Sequence, residues 1–196
     1  MYKINESGRF IVNQQSYLSY YERLVLFIYR YFIGSDYKLD KDRNTRDQHI
    51  IIHKIFFILH KLGIDIGDYG FVWNMFGPYS VGLQYILKEL DDKQTDISHY
   101  YDQFSDETQN SLFNESALNT VQELKEKLQI NSDRTISKQS WLELIGSLAY
   151  IGNDELPGES FQRINQELCS RKKQFCTNTE NYNQQAWQIL QEYKLV

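Results

Sequence analysis

The chain has 196 residues, of which 41% are hydrophobic and 24% are charged, as in a folded globular protein rather than a disordered one. Its formal net charge of -5 argues against a large phosphate-binding surface, because nucleic-acid-binding domains are usually basic. Two cysteines are too few for a disulfide framework. With no signal peptide or membrane span in the pattern, we expect a cytoplasmic protein without a cofactor.

The first part of the chain, residues 1–45, predicts one aromatic helix and a loop. Ser16 or Ser19 can cap a helix that runs to about Ile33. Apolar side chains cover most of its circumference, so it should be buried on more than one side. We expect this part to pack on a helical core at residues 46–196, with the whole chain forming one domain.

A second helix is predicted over Arg46–Leu62, with isoleucine, leucine and phenylalanine at helical spacing. His49 and His53 lie four residues apart near its start, a spacing at which two histidines can chelate a metal. No glutamate stands between them and no third ligand is apparent. We therefore predict no metal site and expect solvated histidines.

The strongest local pattern runs from Phe71 to Leu90. Phe71–Phe76 is rich in aromatic and β-branched residues and predicts a short strand. Gly77-Pro78 should end this strand, because proline has no N–H for a ladder and fixes its own φ. Ser80 can then cap a helix whose apolar stripe is Leu83, Ile86, Leu87 and Leu90. Gly63–Asp68 or Phe10–Val12 could supply the partner strand.

The remainder of the sequence predicts a polar connection over Asp91–Asp106, a short helix to about Phe113 and further helices. These further helices are predicted at Ser116–Gln129, at Trp141–Ile151, around Phe161–Leu168, and after a capping box at Thr177–Glu180. Within the Trp141–Ile151 helix, Gly146 permits the close approach of a neighbouring helix. The predicted fold class is mainly α, a compact helical domain with a small β element made of a strand, a Gly-Pro corner and a helix.

Several of these segments resemble a known family. Lys54–Leu59, Phe71–Trp73, the corner Phe76-Gly-Pro-Tyr-Ser80, Trp141–Leu144 and Ala186-Trp187 occur in an order similar to that of the YwgA-like proteins and, more distantly, of the Panacea antitoxin domain. The similarity covers roughly residues 46–196, and the Gly-Pro-Tyr-Ser corner is its most specific piece. The long aromatic N-terminal helix and the polar segment 91–116 depart from the Panacea pattern.

The resemblance implies a compact helical domain that neutralises or regulates a partner protein, often encoded nearby in a prokaryotic or phage genome. Such proteins act in toxin–antitoxin and phage-defence systems. We therefore expect a non-enzymatic, antitoxin-like regulatory module that binds protein. The expected contact surface is the corner and its nearby rings, namely Trp73, Phe76, Tyr79 and Tyr85.

Two alternatives use other residues. A nucleic-acid-binding regulator with a winged-helix-like element would use Arg171, Lys172 and Lys173 to contact phosphate. A metal-dependent hydrolase or nuclease would use the His49/His53 pair with acidic neighbours. Glu143, on a predicted core helix, is a candidate acid or base if it is partly buried.

Overall fold

The computed structural model describes residues 3–4, 10–11, 18–38, 44–102, 112–128, 135–176 and 181–196. Over these residues the fold is mainly α-helical with a small β element, which confirms the predicted fold class. Eight α-helices are described: α1 Tyr20–Ile33, α2 Asn44–Lys61, α3 Val81–Asp92, α4 Gln94–Asp102, α5 Glu115–Leu128, α6 Lys138–Tyr150, α7 Phe161–Arg171 and α8 Tyr182–Glu192. A π-helical turn at Ile151–Glu155 extends α6, and a 3₁₀ turn at Lys173–Phe175 follows α7.

The structure also describes two antiparallel strand pairs. β1 (Lys3–Ile4) pairs with β2 (Phe10–Ile11), and β3 (Phe71–Asn74) pairs with β4 (Gly77–Ser80). None of the described helices combines the length with the apolar character that crossing a membrane requires.

Helix α1 begins and ends where the sequence predicts. Ser19 and Glu22 form a reciprocal capping box at its start, and Gly34 ends it in the left-handed conformation with φ 77°. The buried apolar side chains of this helix are Leu24, Val25, Leu26, Phe27, Ile28, Tyr29 and Phe32. Because consecutive residues are buried, α1 is covered on more than one side, as the sequence predicts.

Helices α2 and α6 form the centre of the core. Every residue from Ile50 to Leu59 in α2 and from Trp141 to Ala149 in α6 is buried, so neither helix has a solvent-facing side over these turns. The two helices approach closely at Gly146, where an added Cβ would lie 3.0 Å from Lys54 Cδ. This contact confirms the close approach predicted at Gly146.

The β3–β4 hairpin corrects the prediction that Pro78 ends the strand. Pro78 lies inside β4, opposite Trp73, and β4 itself is the partner of β3. The Pro78 carbonyl accepts a hydrogen bond from Lys54 Nζ of α2, so this residue's main-chain groups point away from β3. At such a position the missing N–H removes no bond of the ladder, which is why proline is tolerated.

A second correction concerns the polar connection. Residues 94–102 form α4 rather than a loop, and Ile97 and Tyr101 of this helix are buried. Ser80 caps α3 as predicted, because its Oγ accepts from Leu83 N–H at 3.2 Å. The short helix before Phe113 and the capping box at Thr177–Glu180 were predicted for segments that lie outside the described residues in whole or in large part.

Candidate functional site

A cavity of about 510 Å³ lies between α2, the β3–β4 hairpin and α3. Helix α2 supplies most of its polar wall, through Arg46, His49, His53 and Lys54. These residues recur at intervals that place them on one side of the helix. The cavity therefore runs along α2, from exposed Arg46 to buried Lys54.

The hairpin supplies an apolar wall. Met75, Phe76 and Tyr79 line the cavity from this side, and Ile50 adds apolar surface from α2. The Arg46 guanidinium lies over the Phe76 ring, with its Cζ 4.5 Å from the ring centroid. Stacking of this kind orders an arginine while leaving its N–H edge available to a ligand.

The two histidines of α2 are joined by an amide. His53 Nε2 lies 3.3 Å from Gln84 Oε1, and Gln84 Nε2 lies 3.1 Å from His49 Nδ1. His53 Nδ1 accepts from Ser80 N–H at 3.2 Å. His53 is 2% exposed, so the expectation of a solvated histidine is wrong at this position.

The network continues to Asp91. His49 Nε2 lies 2.9 Å from Tyr37 Oη and 3.3 Å from Asp91 Oδ2, and the Tyr37 hydroxyl donates to Asp91 Oδ1 at 2.6 Å. Each ring nitrogen of His49 and His53 thus has a partner. The arrangement links α2 to Tyr37 and to Gln84 and Asp91 of α3.

Burial controls the protonation of two cavity residues. Desolvation lowers the pKa of His53 to about 3, and the neighbouring Lys54 charge acts in the same direction. Desolvation also lowers the pKa of Lys54 to about 7, against the opposing effect of Glu143. Lys54 is 1% exposed and donates to Pro78 O at 2.7 Å.

A buried ion pair contacts the turn between β3 and β4. Lys172 Nζ lies 2.5 Å from Glu143 Oε1 and donates to Met75 O at 2.6 Å. Lys172 is 2% exposed and Glu143 is 5% exposed. This pair ties α6 and the end of α7 to the turn, so Glu143, the candidate acid or base, is engaged by a cation.

The structure separates the four predicted partner-binding residues. Phe76 and Tyr79 line the cavity, with the Tyr79 ring 4.6 Å from that of His53. Trp73 lies on the other face of the hairpin, where it packs against Tyr150 and beneath the Arg171 guanidinium. Tyr85 is exposed on α3.

Sequence reasoning missed three exposed apolar residues near this site, namely Val72, Met75 and Val81. Their exposure depends on which faces of the hairpin and of α3 the rest of the chain covers, and a local pattern does not specify that. The alternation of β3, with Phe71 and Trp73 half-buried and Val72 exposed, was the available signal.

The residues expected to serve the two alternative functions, nucleic-acid binding and metal-dependent hydrolysis, mostly have partners within the chain. Arg171 pairs with Glu155 and Glu167, and Lys172 pairs with Glu143, which leaves Lys173 as the exposed member of the triplet without such a pair among the described residues. In the described part of the chain no three histidine, cysteine or acidic side chains are grouped closely enough to hold a metal ion.

Comparison with known proteins adds no relative: no family model, no curated protein and no solved structure matches this chain.

Proposed function

We propose that this protein is a non-enzymatic regulatory module that binds another protein through the outer face of the β3–β4 hairpin and the start of α3. The observation that carries the proposal is the distribution of exposed apolar side chains. Of the six large ones in the described residues, four fall within residues 72–85: Val72, Met75, Val81 and Tyr85. Clustering of this kind is typical of protein interaction sites.

These side chains belong to adjoining parts of one surface, which we call the outer face. Val72 is 53% exposed on β3, and β4 leads directly into α3. Val81 and Tyr85 are four residues apart on α3 and share one side of that helix. Met75 is 73% exposed at the turn between the strands. A tyrosine and a methionine are residue types enriched at interfaces.

The inner side of the same hairpin is fixed by buried hydrogen bonds. Lys54 binds Pro78 O, His53 accepts from Ser80 N–H, and Lys172 binds Met75 O. A surface held in this way needs little ordering when a partner binds, which favours affinity. The resemblance to antitoxin-like proteins suggests the kind of partner, a protein encoded nearby that this chain neutralises or regulates.

The test is co-expression with the products of the adjacent genes, followed by co-purification and measurement of the affinity of any complex. We expect Val81→Ser with Tyr85→Ser to weaken the complex by at least about tenfold, since both are strongly exposed apolar side chains of the outer face. Tyr21→Ser is the matched control, because Tyr21 is exposed on α1, outside this surface.

Equal loss of affinity in the control would contradict the proposed surface. A complex unaffected by the double substitution would do the same. Failure of every adjacent gene product to bind the wild-type protein would contradict the partner assignment.

A further inference from the structure

The cavity beside the outer face could bind a small molecule, which would be a second function in addition to protein binding. We propose that it binds a small carboxylic acid with an apolar body, whose carboxylate is held by Arg46. The apolar body would lie against Ile50, Met75 and Phe76, which line the cavity.

The charge of the lining favours an anion. The Arg46 guanidinium lines the cavity, and no aspartate or glutamate is among the described residues that do so. The Asp91 carboxylate of the histidine network is engaged by Tyr37 and His49, and the Glu143 carboxylate is paired with Lys172. No ion pair among the described residues involves Arg46, so a ligand carboxylate would be its first acidic partner there.

The position of Arg46 favours a carboxylate at the open end. Arg46 is exposed and Lys54 is buried eight residues later, about 12 Å along the helix axis. A guanidinium ordered on the Phe76 ring can form two parallel hydrogen bonds to a planar carboxylate. Arg46 also lies in the first turn of α2, where the helix dipole adds positive potential.

The walls favour a single charged group on an apolar body. Most of the lining surface is apolar, and the ring nitrogens of His49 and His53 are already engaged by Gln84 and by residues outside the cavity. A volume of about 510 Å³ suits a small organic ligand, since pockets for such ligands span about 300–1,000 Å³.

The experiment uses the full chain and 3-phenylpropanoate as the probe, with 3-phenylpropanamide and acetate as matched compounds. Protein-observed NMR titration gives the affinity and the location of each probe. We expect 3-phenylpropanoate to bind with shifts at Ile50, Met75 and Phe76. The amide should bind at least about tenfold more weakly because it cannot pair with a guanidinium, and acetate should bind more weakly because it lacks the apolar body.

Arg46→Gln should weaken binding of 3-phenylpropanoate by about tenfold or more, whereas Arg163→Gln, at an exposed position of α7, should leave it unchanged. Equal binding of acid and amide, an unchanged affinity in Arg46→Gln, or no binding at millimolar concentration would overturn the proposal.

The small-molecule site and the protein-binding surface can be contradicted independently, because different variants test them. Val81→Ser with Tyr85→Ser should keep the affinity for 3-phenylpropanoate, because neither residue lines the cavity. Loss of probe binding in that variant, with the fold retained, would contradict a cavity site that does not depend on Val81 and Tyr85.

Discussion

The two sides of the β3–β4 hairpin differ in their contacts. One side is hydrogen-bonded to side chains of the helices, and the other exposes apolar side chains to solvent. On the inner side, main-chain groups of Pro78, Ser80 and Met75 each have a side-chain partner from a helix or its end. On the outer side, Val72 and Met75 present apolar surface to solvent. The inner side therefore stabilises the hairpin, and the outer side is left for binding.

This difference explains how so short a sheet persists. An isolated two-stranded hairpin is marginal in water, and free strand edges invite pairing with other chains. Here the edge of β4 is covered by Lys54 and His53, and the Trp73 main chain of β3 interacts with the Tyr150 hydroxyl. Coverage by helices lets the hairpin expose apolar side chains without an open edge.

The largest expected effect comes from breaking the ion pair beneath the turn. Lys172→Met leaves the buried Glu143 carboxylate without its cation, so we expect a loss of about 3–5 kcal/mol in the free energy of unfolding, measured by urea denaturation. Combining it with Glu143→Leu should restore much of that loss, because both charges are then removed. Lys127→Met, at an exposed ion pair, should change stability little. A double variant less stable than the single one would contradict this interpretation.

Gly77→Ala should have the next largest effect. Gly77 has φ 86°, and an added Cβ would lie 2.5 Å from Ser147 Oγ. Left-handed backbone alone costs about 1–2 kcal/mol for a residue with a Cβ, and the contact adds to it. Gly63→Ala isolates the backbone cost, since its φ is 73° and no atom lies within 4 Å of the added Cβ. Equal losses in urea denaturation for the two variants would show that the contact with Ser147 is relieved without cost.

The pH dependence of stability tests the neutral state of His53. Its folded pKa of about 3 lies below the ordinary value of 6.5, so the unfolded chain takes up the proton first. Stability is therefore complete above pH 6.5 and is lost as the pH falls toward 3, by up to about 1.4 kcal/mol per pH unit. The groups facing this ring are Lys54, His49, Gln84 and Tyr79.

His53→Asn keeps an acceptor for Ser80 N–H but does not titrate in this range. Measured by urea denaturation at a series of pH values, the difference in stability between wild type and variant should shrink as the pH falls below 6.5. Parallel curves for the two proteins would contradict a buried neutral histidine.

Local sequence signals correctly predicted the helix ends that are set by a single capping residue. Ser19 and Gly34 bound α1, and Ser80 caps α3, because capping acts over three or four residues. The strand at Gly77–Ser80 was missed because the rule for proline concerns its N–H, whereas the direction in which that N–H would point depends on tertiary placement.

The candidate site was harder to predict because its contacts join distant parts of the chain. Lys54 meets Pro78 across 24 positions, and His49 meets Gln84 across 35. Periodicity along one helix cannot specify such pairs. One signal was present: Lys54 lies four residues after Ile50 and four before Ile58, both buried, which places a cation on an apolar side of α2.

The smallest expected effect on stability belongs to the outer face. Val81→Ser and Tyr85→Ser should each change the free energy of unfolding by no more than about 0.5 kcal/mol, because both side chains are exposed in the folded protein. Leu83→Ala, on the buried side of the same helix, should cost about 2–5 kcal/mol. Urea denaturation of the three variants compares the two sides of α3 directly. If Val81→Ser and Tyr85→Ser destabilised the chain as strongly as Leu83→Ala, the outer face would be part of the core, and a partner protein could not bind there without unfolding it.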